Sequence, residues 1–117
     1  GQVTKPGVTL LSGPGNDLIS VSAMAAAGAQ LLLFSTGRGN HLGSPVPVIK
    51  VSSNTGLAAR KPHWIDFDAG PLASGTPMAE LLPKLVELVL ATVSGQQTKN
   101  EIAGMHDFSI FKDGVIL

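Results

Sequence analysis

The stretch LLLFSTGRGNHLG, Leu31–Gly43, narrows what this chain can fold into more than any other. Its four apolar residues, Leu31–Phe34, read as a buried strand. The chain then enters a loop with glycines at Gly37, Gly39 and Gly43, closed by Pro45 and Pro47. Glycine admits positive φ and lets a ligand come close to the main chain. Arg38 stands between two of those glycines, and its guanidinium is a permanent cation whose planar fork of donors suits a carboxylate. A long loop placed directly after a core strand is more often functional than a plain connection. The competing reading is a surface turn whose arginine binds a neighbouring acid.

The remaining segments extend this pattern of strand, loop and helix. Val8–Leu11 reads as a first strand, entering the glycine-rich turn Ser12–Asp17. Asn16 or Asp17 is placed to cap a helix over Leu18–Ala27, which Gly28 ends. Ala23, Ala25, Ala26 and Ala27 would let that helix lie close to a sheet. Val46–Val51 reads as a third strand, with Pro47 marking an edge or opening position. Ser53 or Asn54 caps a short helix through Ala59, with Arg60 and Lys61 in its last turn and Pro62 stopping it.

Trp64–Phe67 reads as a fourth strand. Thr76 as N-cap and Pro77 at the first helical position open a helix reaching Ser94, closed by Gly95. Leu81, Leu82, Leu85, Leu88, Val89 and Val93 form its apolar face, while Glu80, Lys84 and Glu87 form the wet one. Pro83 should kink or restart it. Gln96–Asp107 reads as irregular and Phe108–Phe111 as a last strand.

Short strands separated by helices predict a single small α/β domain, with a mostly parallel sheet flanked by helices in Rossmann-like layering. Ligands of such sheets sit beyond the carboxyl ends of the strands. That rule gathers three loops at one edge: Ser12–Asn16, Ser35–Gly43 and the segment around Asp66–Gly70. A nucleotide site is disfavoured. Gly13 and Gly15 give G-x-G, but Leu18 occupies the third glycine position, and Gly-Lys-Ser/Thr is absent.

His63, Asp66 and Asp68 lie together, and the two aspartates, two apart on an extended backbone, face the same way. Such carboxylates can hold a hard divalent ion, or one can act as a base if burial raises its pKa. Ordinary turn chemistry in Asp68-Ala69-Gly70 accounts for the same residues without catalysis. His41, His63 and His106 form no i,i+3 or i,i+4 pair, so a zinc site from this chain alone is not expected. Lys50 reads as a side chain snorkelling at a sheet edge rather than a buried base. Ser12, Ser35 and Thr36 have no adjacent histidine or acid in a nucleophile motif, so a serine hydrolase is not supported.

Composition bounds the partners. The 117 residues carry no net charge and no cysteine. Nothing therefore attracts nucleic acid or membrane lipid electrostatically, and disulfides and thiolate metal sites are excluded. No signal pattern opens the chain and no apolar run reaches a membrane span, so a cytoplasmic soluble domain is expected. Only 14% of residues are charged and mean hydropathy is +0.29, which is poor in charge for the large surface of a small domain. Together with the opening Gly1, this points to a fragment of a longer protein, a domain that oligomerises, or both.

LLSGPGND, LFSTGRG, PVPVIKVSSNTGLAARKPHWIDFDAG and FSIFKDGVIL together resemble the C-terminal part of the altronate/galactarate dehydratase family. The resemblance runs from about Val8 to Leu117, and Pro14–Asp17 and Lys61–Trp64 place it nearest the altronate branch. It implies a longer bacterial hydro-lyase that converts a sugar acid to a 2-keto-3-deoxy acid. It also implies dependence on a divalent metal such as Fe²⁺, with ligands expected upstream of this segment. Sulfolactate sulfo-lyase subunits also resemble the family, so the leaving group does not follow from membership. After TGRG the family usually continues Thr-Pro and an aromatic residue, whereas Asn40-His41-Leu42 stands here; a pocket lined by that loop would admit a different polyol acid or leaving group.

In this reading Gly13, Gly15, Asn16, Thr36, Gly37, Arg38 and Gly39 bind the substrate acid, while His63, Asp66 and Asp68 are the catalytic candidates. Its expected partners are a small sugar acid, the remaining domains of the same enzyme and further copies of itself in a homo-oligomer. A non-catalytic acid-binding or assembly module, using the same glycine loops, is the alternative outside enzymology.

Overall fold

The computed structural model describes residues 6–11, 16–39 and 43–102, the side chain of Asn100 excepted. The order is α1 (Asp17–Ala26), β1 (Leu32–Thr36), β2 (Val48–Ser52), α2 (Thr55–Arg60), β3 (Phe67–Asp68), a 3-10 turn (Gly70–Ser74), α3 (Met78–Val93) and α4 (Lys99–Ile102). The strands form one parallel sheet in the order β1-β2-β3. β1 and β2 pair from Leu32↔Val48 to Thr36↔Ser52, and β2 meets β3 at Val51↔Phe67 and Ser52↔Asp68. This is the expected α/β class. Among the described residues no helix is long and apolar enough to cross a membrane.

Local chemistry sets the helix starts. Asn16 caps α1 by accepting from the Ile19 N–H at 3.2 Å, and Gly28, at φ 114°, takes the left-handed turn that ends it. Asn54 caps α2 in the same way through the Leu57 N–H at 2.7 Å. Val21 carries α1 onto the sheet, packing with Leu32 and Val48, while Phe34, Ala29 and Val46 close around them. Ile49, Leu57 and Ile65 are buried as well.

Several expectations are corrected. Val8–Leu11 is no strand: its described residues lie outside the sheet, with Val8 and Leu10 fully exposed, so a β-favouring run has found no ladder to join. The strand expected at Trp64–Phe67 begins only at Phe67, because Lys61 to Trp64 closes a turn through the Trp64 N–H and the Lys61 carbonyl. No helix occurs between β1 and β2 among the described residues. Thr76 does not cap α3; Pro77 occupies the N-cap position with an extended ψ of 145°.

α3 also runs through Pro83 without restarting. The carbonyl deprived of its donor belongs to exposed Ala79, where water can reach it. Lys50 sits on the central strand rather than at an edge and is only 1% exposed. Its ammonium lies 4.6 Å from the centre of the Phe34 ring, which supplies a favourable face for a buried cation. Part of the segment expected to be irregular, Lys99–Ile102, is helical. The expected strand Phe108–Phe111 lies outside the described residues.

Candidate functional site at the carboxyl edge of the sheet

Because all three strands are parallel, their carboxyl ends meet at one edge: Thr36-Gly37, Ser52-Ser53-Asn54 and Asp68-Ala69-Gly70. The loop after β1 is held there by hydrogen bonds to its own strand and to the next. The Gly39 N–H donates to Thr36 Oγ1 at 3.0 Å, and the Ser53 N–H donates to the Thr36 carbonyl at 3.0 Å. Asn54 Nδ2 donates to the Gly37 carbonyl at 2.9 Å while its Oδ1 caps α2. One side chain thus joins the first loop to the second helix.

Both glycines flanking Arg38 have a structural reason. Gly39 has φ 101°, a conformation L residues rarely adopt, and a Cβ there would lie 3.2 Å from Leu57 Cδ1 and 3.4 Å from the Trp64 ring. A Cβ on Gly37 would approach Ser53 Oγ at 3.2 Å. Arg38 is exposed between these pinned positions and makes no hydrogen bond or ion pair among the described residues. The rival reading, an arginine engaged with a neighbouring acid, therefore has no partner there.

At the β3 end the aspartates hold backbone. Asp66 Oδ2 accepts from the Lys50 N–H and Oδ1 from the Lys99 N–H, both at 2.9 Å, tying β2, the approach to β3 and α4 together. Asp68 Oδ1 accepts from the Gly70 N–H at 2.8 Å, the turn chemistry anticipated for Asp68-Ala69-Gly70. Gly70 is pressed against the start of α2, where a Cβ would run into the Thr55 backbone nitrogen and hydroxyl.

His63 is exposed in the turn before β3, its ring edge-on to Trp64 at 5.5 Å. Lys61 Nζ lies 4.6 Å over the same indole, and Lys99 Nζ donates to the Pro62 carbonyl. Thr36, Gly37, Arg38 and Gly39 are thus brought together on one loop. Asn16 serves as a helix cap, and Gly13 and Gly15 lie outside the described residues. Among the described residues no three His, Asp or Glu side chains gather as a metal site.

Sequence reasoning named two of the three strand ends and overlooked the middle one. Ser52 Oγ accepts from the Asn54 N–H at 3.2 Å and donates to the Asn54 carbonyl at 2.5 Å, forming the corner that aims Asn54 at Gly37. The Ser-Ser-Asn run directly after a β-branched strand is the signal that locates this corner.

The chain matches the sequence model described as D-galactarate/Altronate dehydratase, C-terminal, over residues 1–116. The chain belongs to that family. It is 49% identical to altronate dehydratase of Bacillus subtilis (strain 168) over 100% of this chain and 24% of the relative. It is 48% identical to altronate dehydratase of Escherichia coli (strain K12), over 96% of this chain and 23% of that relative. Galactarate dehydratase (L-threo-forming) of Escherichia coli (strain K12) is 34% identical over 89% of this chain and 20% of the relative. The chain thus spans about a quarter or less of the length of these curated relatives.

Proposed function

We propose that this chain is the C-terminal domain of a hydro-lyase that dehydrates an altronate- or galactarate-type sugar acid to a 2-keto-3-deoxy acid, and that the carboxyl edge of its sheet binds the acid. The observation that carries the reading is Arg38. It is an exposed cation without an ion-pair partner among the described residues, on a loop pinned by Thr36 and Asn54 beyond a parallel strand. Removing water from a 2,3-dihydroxy acid takes the proton beside the carboxylate and expels the neighbouring hydroxyl, leaving an enol that tautomerises to the keto acid. Negative charge builds on the carboxylate as that proton leaves, so a fixed bidentate cation stabilises the transition state more than the ground state.

In this reading Arg38 grips the carboxylate, and the main chain of Gly37 and Gly39 borders it. His63 keeps an exposed imidazole and is the acid–base candidate of the three proposed catalytic residues. Asp66 and Asp68 already accept backbone N–H groups. A divalent ion such as iron finds no three-ligand set among the described residues, so no step is assigned to it. The names of the relatives support a sugar acid as substrate.

The test is steady-state kinetics of the full-length protein with altronate, galactarate and sulfolactate, together with Arg38→Ala and Arg38→Lys. Losing a charge-assisted bidentate contact should cost about 2–4 kcal/mol, roughly thirty- to a thousand-fold in kcat/KM. Lysine should recover little, since it keeps the charge without the fork. Unchanged melting temperatures with near-normal kcat/KM in both variants would return Arg38 to a surface role.

A further inference from the structure

α3 carries an apolar arc wider than the part of it that is covered. Leu81 and Thr92 are buried, with Leu85 and Leu88 half-buried along the same line. Beside that line stand Met78, Leu82, Val86, Leu90 and Val93, exposed by 57, 47, 47, 59 and 63%. At 100° per residue these five occupy roughly a third of the helix circumference, next to the covered line and away from Glu80, Lys84 and Glu87. Five large apolar side chains left half in water expose on the order of 400–500 Å², at which size a patch on a small protein marks a contact surface.

We propose that this arc is an intrachain docking surface, covered in the whole enzyme by an uncharged apolar face of the same polypeptide outside the C-terminal domain. The proposal rests on the family reading, in which this domain is part of a longer chain, as in relatives of which it matches 23 and 24%. Tethering decides between occupants. A standard interface buries about 800 Å² per partner, a little over half of it apolar, so the arc matches one face of such a contact whichever partner supplies the other. A tethered neighbour meets the arc at an effective concentration of about millimolar and holds with a smaller interface. The arc also lacks any charged residue that would orient a diffusing partner.

Hydroxyl-radical footprinting of the unsubstituted full-length protein tests this, with Met78, Leu82 and Leu90 each read against its own rate in the urea-unfolded chain. An uncovered arc at the exposures above slows modification about two-fold. A docked arc slows it about ten-fold or more, equally at micromolar and nanomolar protein. Two-fold protection overturns the proposal, and so does strong protection that disappears on dilution, because the occupant is then a second copy. A dehydratase assay on the same preparation separates the two readings. Activity with an unprotected arc sinks the docking surface alone, and a protected arc without turnover of any sugar acid sinks the function alone.

Discussion

At the scale of single residues, the carboxyl edge depends on groups whose neighbours are backbone. Gly70→Ala places a methyl against the Thr55 main chain, which cannot move without displacing the start of α2. The cost should be about 2–3 kcal/mol, read as a lower midpoint in urea unfolding. Asp66 offers a finer test, because its two oxygens satisfy the N–H groups of Lys50 and Lys99. Asp66→Ala orphans both and should cost about 2–4 kcal/mol. Asp66→Asn keeps one acceptor and should cost about half as much. If Asp66 also handles a proton, kcat in the asparagine variant falls far beyond what its stability loss explains. The sequence alone exposes the pair Asp66 and Asp68 but not what they hold, since a carboxylate serving the main chain and one serving a substrate look identical until their donors are located.

At the scale of elements, legibility followed how local the determinant was. Asn16 and Gly28 bound α1, and Asn54 opens α2, because capping needs only three or four residues of context. Val8–Leu11 has the composition of a strand but not the place of one, because a strand exists only through a partner that composition does not name. Lys50 was misplaced for the same reason: only the pairing of β1 and β3 on either side makes its strand the central one and sets its ammonium over the Phe34 ring. The corner at Asn54 yields a testable separation of two functions held by one side chain. Asn54→Asp keeps the oxygen that caps α2 but loses the Nδ2 donor to the Gly37 carbonyl. Stability should fall by less than about 1 kcal/mol, against about 1–2 for Asn54→Ala. Amide hydrogen exchange in residues 37–39 should rise in both variants, and kcat/KM with it should drop if this loop positions Arg38. Faster exchange confined to the alanine variant would show that the clamp contributes nothing to the loop.

At the scale of the whole molecule, low charge and an uncovered α3 describe one property from two sides. With 14% charged residues the chain has few groups to keep a small surface wet, and on α3 Met78, Leu82, Val86, Leu90 and Val93 face solvent together. Produced by itself, the 117-residue chain should self-associate in a concentration-dependent way, because contact between copies removes that arc from water. Sedimentation velocity should show larger species growing above micromolar concentrations. The triple variant Leu82→Gln, Val86→Lys, Leu90→Gln should return it to a monomer with an unchanged circular dichroism spectrum, since none of the three side chains is buried in the domain. The same substitutions in the full-length enzyme should act in the opposite direction. They place polar groups in a contact that excludes water, each costing about 1–3 kcal/mol, so the melting temperature should fall while the isolated domain gains solubility. A full-length variant as stable as the parent, beside an isolated chain still associating, would show that the arc is neither the cause of association nor a surface the enzyme uses.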